Sequence, residues 1–161
     1  MEARGSLLDS AEQLVKSVFT EMDLSERVSF WVYRKQKNPF VRLLMRLFGV
    51  SSISDTWVAV NDNGDVCGTT GLYAYTKDEN EAVWLSWFCV DPKQRGQGIG
   101  KQLLRFSIDT ARNRGNKYLR LYTSTDSNEA EAQGLYEKFG IKIVKEKKHG
   151  IDTYLYRELK L

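Results

Sequence analysis

The stretch VDPKQRGQGIGKQLL, residues 90–104, sets Gly96, Gly98 and Gly100 beside Arg95 and Lys101, between two apolar runs. Upstream, EAVWLSWFCV (81–90) is apolar at both parities, the pattern of a central strand covered on both faces. Downstream, IGKQLLRFSIDTA (99–111) carries Ile99, Leu103, Phe106 and Thr110 at helical spacing. A strand, a glycine turn and a helix N-terminus form an anion cradle, because free backbone N–H groups and the positive end of the helix dipole converge there. Glycine removes the Cβ atoms that would block close approach.

Three phosphate-binding patterns compete for this turn. A dinucleotide fingerprint needs G-x-G-x-x-G, but these glycines are spaced by two throughout and residues 101 and 103 are not glycine. A P-loop needs Ser or Thr after its Gly-Lys; here Gln102 follows Lys101, and the metal-binding hydroxyl is missing. What remains is R-x-x-G-x-G, formed by Arg95, Gly98 and Gly100 directly after a strand that ends in VDP.

Outward from the turn, the pattern predicts one mixed α/β layer structure. Leu7, Ala11, Leu14, Val15, Val18 and Met22 mark a helix over 6–22, and further helices follow in ERVSFWVYRKQK (26–37) and, after Pro39, in FVRLLMRLF (40–48), stopped by Gly49. TWVAVND (56–62) and VCGTTGLYAYT (66–76) read as strands joined at Asn63-Gly64 by a type I′ turn. YLRLYTS (118–124) makes the strand–helix–strand unit a parallel, right-handed crossover. Asn128 and Glu131 resemble a capping box opening a helix with Ala132, Leu135, Tyr136 and Phe139 on one stripe, ended by Gly140. IKIVKEKK and IDTYLYREL close the chain as a hairpin around His149-Gly150. The expected sheet is therefore mostly antiparallel with one parallel crossover and helices on both faces, in a single domain over 1–161.

Composition narrows the function classes. A hydrophobic fraction of 42%, a charged fraction of 28% and a net charge of +3 suit a soluble protein with an anionic ligand, without the dense basic face of a nucleic-acid binder. Cys67 and Cys89 lack metal-ligand spacing and fall in expected strands, where they read as small buried hydrophobes in a reducing compartment. His149 is the only histidine, so Ser–His or Cys–His catalysis and a histidine-based metal site have no partners. The start reads as neither signal peptide nor membrane span, and the expected location is the cytoplasm.

The R-x-x-G-x-G turn resembles the acyl-CoA signature of the GNAT superfamily of N-acetyltransferases. NEAEAQGLYEKFGIKIV (128–144) is similar to the same family's N…A…LYEK-GF segment, and with the order of elements the resemblance covers about residues 55–161. It implies acetyl-CoA as co-substrate, with Arg95, Gly96, Gln97, Gly98, Ile99, Gly100 and Lys101 around the pyrophosphate. The backbones of Cys89 and Val90 would bond the pantetheine amides. Tyr136 matches the acid that protonates the departing thiolate; the alternative is a tyrosine that only packs beside Phe139. Asn128 would contact the cofactor or merely cap a helix, and it stands one residue farther from Tyr136 than in the commonest family pattern. Gly134 inside a helix suggests a close backbone approach, and Ile141 replaces the usual Phe as a packing change. The implied partner is an amine, either a small molecule or a protein N-terminus or lysine, with a homodimer allowed and no metal. Protein-acetylating members often carry a Glu where this chain has Trp84, which leaves Glu79, Glu81 or water as base. A non-catalytic acyl-CoA-binding or regulatory module is the alternative class. Residues 27–54 hold six Arg or Lys and no acid, interleaved with Phe30, Trp31, Tyr33 and Phe40. This suggests an aromatic or carboxylate-bearing acceptor, a solvated amphipathic face, or, for PFVRLLMRLFG (39–49), a membrane-surface or partner-docking role.

Overall fold

The computed structural model describes residues 1–19 and 24–161, and within them all side chains except those of residues 24–28, 53, 54, 128 and 149. Three helices come first: α1 (Ser6–Val18), α2 (Leu24–Lys35) and α3 (Pro39–Leu47). Asn38 caps α3, its Oδ1 accepting from the N–H groups of Phe40 and Val41, and Pro39 takes the first position, where no intrahelical donor is needed. Then come β1 (Val50–Val60), β2 (Val66–Tyr75), β3 (Ala82–Val90), α4 (Ile99–Asn113), β4 (Tyr118–Ser124), α5 (Ala130–Lys138), β5 (Lys142–His149) and β6 (Asp152–Lys160).

The strands form one six-stranded sheet in the order β1-β2-β3-β4-β6-β5. Only β3 and β4 run parallel, linked by α4 as the crossover. Strand alternation sends side chains into two separate cores. On one face Leu72, Val83, Leu85, Leu119 and Leu121 meet Leu104, Ile108 and Ala111 of α4 and Tyr136 of α5. On the other, Val58 and Cys89 meet Leu8, Ala11, Leu14 and Val15 of α1 and Phe30 of α2. This is the mixed, mostly antiparallel sheet with helices on both faces that the sequence predicts.

Four local expectations change. β1 starts at Val50 rather than Thr56, since Val50, Ser52, Ile53 and Asp55 continue the ladder against β2, with irregularities between Val50 and Ser52 and between Ile53 and Asp55. The β1–β2 connection is a five-residue loop, Asn61 to Asp65, rather than a type I′ turn: Gly64 has φ 86, but Asn63 does not have the positive φ that turn demands. Asn61 organises the loop instead, its Oδ1 accepting from the N–H groups of Asn63 and Asp65. Phe106 of α4 is 43% exposed and meets Trp57 edge-on, while Leu104, Ser107, Ile108 and Ala111 form the buried stripe. α1 ends at Val18, and Met22 lies outside the described residues.

Candidate functional site

The β3–β4 ladder contains only three pairs, Ala82↔Tyr118, Val83↔Leu119 and Trp84↔Arg120. Beyond them the strands separate, while β3 stays paired to β2 and β4 to β6 as far as Ser124↔Tyr154. A cleft therefore opens toward the C-terminal ends of the two parallel strands. Its closed end is pinned by the Glu81 carbonyl, which accepts from the N–H groups of Lys117 and Tyr118 at 2.8 and 3.1 Å.

A bulge in β3 accompanies the separation. Thr69 faces Cys89 and Gly71 faces Ser86, so β3 spends one more residue than β2 between those pairs, which bends the strand. Trp87 sits in the bulge at φ 47, a conformation costing an L-residue about 1–2 kcal/mol. Stacking on Phe30 at 5.2 Å and edge contact with Phe19 at 6.2 Å hold it there. A tryptophan in an apolar run carried no sign of this.

The bulge fixes which backbone groups face the cleft. Asp91 donates its N–H to the Cys67 carbonyl at 2.9 Å, so the alternation of an antiparallel ladder turns the backbone groups of Cys89 toward β2 and those of Phe88 and Val90 toward the cleft. The Cys89 side chain enters the α1 core, where burial pushes its thiol up to about 12. Of the two backbones expected to line the cleft, that of Val90 faces it and that of Cys89 faces β2, while Phe88 is the other residue whose backbone the alternation turns toward the cleft.

At the cleft mouth, Asp91 Oδ1 accepts from the N–H of Lys93 and caps a short 3₁₀ turn, Pro92–Gln94. Gly96 and Gly98 follow at φ 77 and φ 82, and a Cβ at either would meet no protein atom. The backbone angle, not crowding by the protein, demands glycine there. Gly98 is the N-cap of α4, and with no side chain it leaves the first-turn N–H groups of Ile99, Gly100 and Lys101 without a side-chain cap. Arg95 donates from Nε to the Val90 carbonyl at 3.4 Å and lies 3.6 Å from Glu131 of α5, tying the turn to both walls. Gln97 donates to Gln94 Oε1 and stays in the turn, Lys101 is exposed, and Ile99 packs over Gly68 of β2. Gly100 lies where α4, α5 and β3 converge: its Cβ would make ordinary contact with Leu135, Val90 and Phe88. These exposed amides beside an open cleft fit a pyrophosphate joined to an extended arm.

Tyr136 stands behind that junction, 5% exposed, with its ring 5.9 Å from Phe88 and 5.9 Å from the Arg157 guanidinium. Burial raises its pKa well above that of an ordinary phenol, Glu129 adds to this, and Arg157 opposes it. Its hydroxyl donates no hydrogen bond to any described residue. The side chain of Asn128 lies outside the described residues; its backbone belongs to a 3₁₀ turn, Ser127–Glu129. The expected capping box rests on that side chain; the N-cap of α5 is Glu129, which makes no side-chain cap bond.

Glu129 instead reaches β4, accepting from the hydroxyls of Thr123 and Ser124 and from the Ser124 N–H. Gln133 donates to the Ser124 carbonyl at 2.7 Å and accepts from Arg157 at 2.7 Å. Arg157, 2% exposed, also donates to the Ile141 carbonyl at 3.1 Å and to Glu137 at 3.3 Å. Glu129, Gln133 and Arg157 thus lock α5 to the open end of β4 and to β6. The available signal was spacing: Glu129 stands one residue closer to Tyr136 than Asn128 does, at the commonest family interval. A Cβ at Gly134 would meet no protein atom, so packing within the chain does not require that glycine.

Neither carboxylate considered as base is free. Glu79 lies 3.4 Å from Arg46, and Glu81 lies 2.9 Å from Arg120, which also pairs with Asp78 and Glu158. Trp84 donates its indole N–H to Asp78 Oδ2 at 3.0 Å. The Arg120 group sits at the closed end of the cleft, where its ion pairs join β4 to β6 and to the segment before β3.

A sequence profile described as the acetyltransferase (GNAT) family matches residues 16–141. Spermine/spermidine N(1)-acetyltransferase of Bacillus subtilis is 32% identical over 100 residues, 60% of this chain and 65% of that protein. The chain spans 27% to 65% of the length of the curated relatives it matches. Among solved structures, an N-acetyltransferase from Staphylococcus aureus Mu50 superposes with a TM-score of 0.71 at 21% identity, covering 99% of this chain and 96% of that one. A GNAT family acetyltransferase from Elizabethkingia anophelis with acetyl-CoA bound gives 0.57 at 24% identity, covering 77% and 85%.

Proposed function

Because the chain belongs to the acetyltransferase (GNAT) family, we propose that it is an N-acetyltransferase moving an acetyl group from acetyl-CoA to a primary amine by direct attack. The observation that carries this reading is the parting of β3 from β4 after Trp84 and Arg120, with uncapped α4 amides at its mouth and Tyr136 behind it. The turn from Arg95 to Lys101 holds the pyrophosphate, and the cleft-facing backbones of Phe88 and Val90 hold the pantetheine amides. Acetyl-CoA supplies an activated thioester. A primary amine with pKa near 10 is only about one-thousandth neutral at pH 7, an energetic handicap of about 4 kcal/mol. With Glu79 and Glu81 held by arginines, water at the open end of the cleft carries the amine's proton away. The amine nitrogen bonds to the acetyl carbon, the C–S bond breaks, and the Tyr136 hydroxyl gives its proton to the leaving thiolate; solvent restores that proton.

Relatives named for spermine and spermidine and for peptidyl-lysine support starting the search for an acceptor with polyamines and lysine side chains. The test is an acceptor screen with acetyl-CoA, read by thiol release and mass spectrometry. Acceptor-dependent turnover with at least one amine is expected. The Trp84 indole at the family's base position favours a second reading, a non-catalytic acyl-CoA-binding module. Tight acetyl-CoA binding without turnover on amines, amino acids or peptides would select it.

A Gly98→Val substitution tests the cradle. Valine at φ 82 is strained, and its side chain enters the space in front of the α4 amides. Acetyl-CoA affinity is expected to fall at least tenfold, about 1.4 kcal/mol, with the fold retained. Calorimetry on a folded variant with unchanged affinity would remove the pyrophosphate from this turn.

A further inference from the structure

α3 turns its apolar stripe outward. Phe40, Leu43, Leu44, Leu47 and the following Phe48 recur at helical spacing and are 71%, 59%, 38%, 75% and 79% exposed, while only Val41 and Met45 of this helix are buried. An amphipathic helix in a globular protein ordinarily buries such a stripe, and a contiguous exposed one marks an interaction surface. Arg42 and Arg46 lie one turn apart on the polar side of the helix, away from the stripe, and exposed Lys35 and Lys37 precede the helix. No Asp or Glu occurs between residues 27 and 54. Among the described residues, Glu79 pairs with Arg46 at 3.4 Å.

We infer that α3 is a peripheral membrane anchor that lays its outward stripe into the interface of an anionic lipid surface. Bulky apolar side chains on one side and arginines and lysines on the polar side are what such a surface selects: the stripe enters the acyl boundary while the long cationic side chains reach headgroup phosphates. The charge argues against a second copy as occupant. A two-fold pairing of α3 with itself would bring both sets of Lys35, Lys37, Arg42 and Arg46 together without an acid from the same segment to offset them. Among the described residues no helix is long and apolar enough to cross a membrane, and a surface-lying helix needs no such length.

Flotation of the full chain with vesicles tests this. Binding to vesicles of phosphatidylcholine mixed with phosphatidylglycerol is expected, at least about tenfold stronger than to phosphatidylcholine alone and weakened by added salt. Leu47→Glu, at an exposed position outside the proposed acetyl-CoA site, should cut that binding at least about tenfold while leaving the thermal melt and acetyl-CoA binding unchanged. Arg42→Gln should weaken binding to the anionic vesicles alone. A folded, monodisperse protein that fails to float would overturn the anchor, as would equal flotation with both vesicle types. So would a dimer in light scattering that Leu47→Glu converts to monomer, because the stripe would then belong to a second copy.

Discussion

Tyr136→Phe is expected to lower kcat by about 100-fold while acetyl-CoA affinity and stability change little. The hydroxyl donates no hydrogen bond to a described residue, so its removal leaves no partner stranded, and the ring keeps its contacts with Phe88 and Arg157. Burial raises the phenol's pKa, so it holds its proton throughout the neutral range and is in the acid form when the thiolate departs. Because its folded pKa lies above the ordinary phenol value of about 10, deprotonation of Tyr136 should not impose an alkaline limb on kcat below that pH. An acyl donor with a much less basic leaving group needs no proton, so the Phe variant's deficit should shrink with it. Positioning alone would cost both donors equally. A Phe variant with undiminished kcat, measured where chemistry limits turnover, would leave water as the acid.

The sequence carried the layer order because its signals are local. Glycine turns, an apolar strand at both parities, and periodic stripes specify elements without reference to their neighbours. The R-x-x-G-x-G turn was legible for the same reason: Gly96 and Gly98 need their backbone angles whatever surrounds them. The missed features depend on pairing between distant segments. Trp87 takes a positive φ only because β2 and β3 disagree in register by one residue and Phe30 waits above it. The Cys89 backbone turns toward β2 by ladder alternation, which follows from Asp91 bonding Cys67 across the strands.

α3 illustrates the opposite limit. Its periodicity predicted a helix correctly but could not say which stripe faces the sheet, because Val41 and Met45 look like any other apolar pair beside five larger neighbours. The role of Glu129 is of the same kind: it is a polar residue at a helix start like its neighbours. Only the position of Thr123 and Ser124 decides that Glu129 reaches β4. Arg157 is the clearest case. In IDTYLYREL it reads as one charge among several on an alternating strand, yet it is 2% exposed.

Arg157→Met should be the most destabilising of these substitutions, by about 2–5 kcal/mol in denaturant unfolding. Methionine replaces much of the aliphatic stem but offers nothing to the Ile141 carbonyl or to Gln133, and each buried polar group left unpaired costs about 1–3 kcal/mol. Arginine's own buried cost offsets part of this: its Nε has no partner among the described residues, so the native site is not ideally satisfied. Glu137 supplies a control. Its side chain is 67% exposed, and Glu137→Gln should cost under about 1 kcal/mol because water replaces the lost ion pair. If Glu137→Gln proved as damaging as Arg157→Met, the ion pair rather than the buried hydrogen bonds would be what anchors α5. Activity separates the two effects further. Losing the bonds to Gln133 and Ile141 frees the helix that carries Tyr136, so residual kcat in Arg157→Met should fall even at temperatures where the variant is fully folded. Acetyl-CoA affinity, set by the turn from Arg95 to Lys101, should hold; a parallel loss of both would mean that the mutation had disturbed the cleft as a whole.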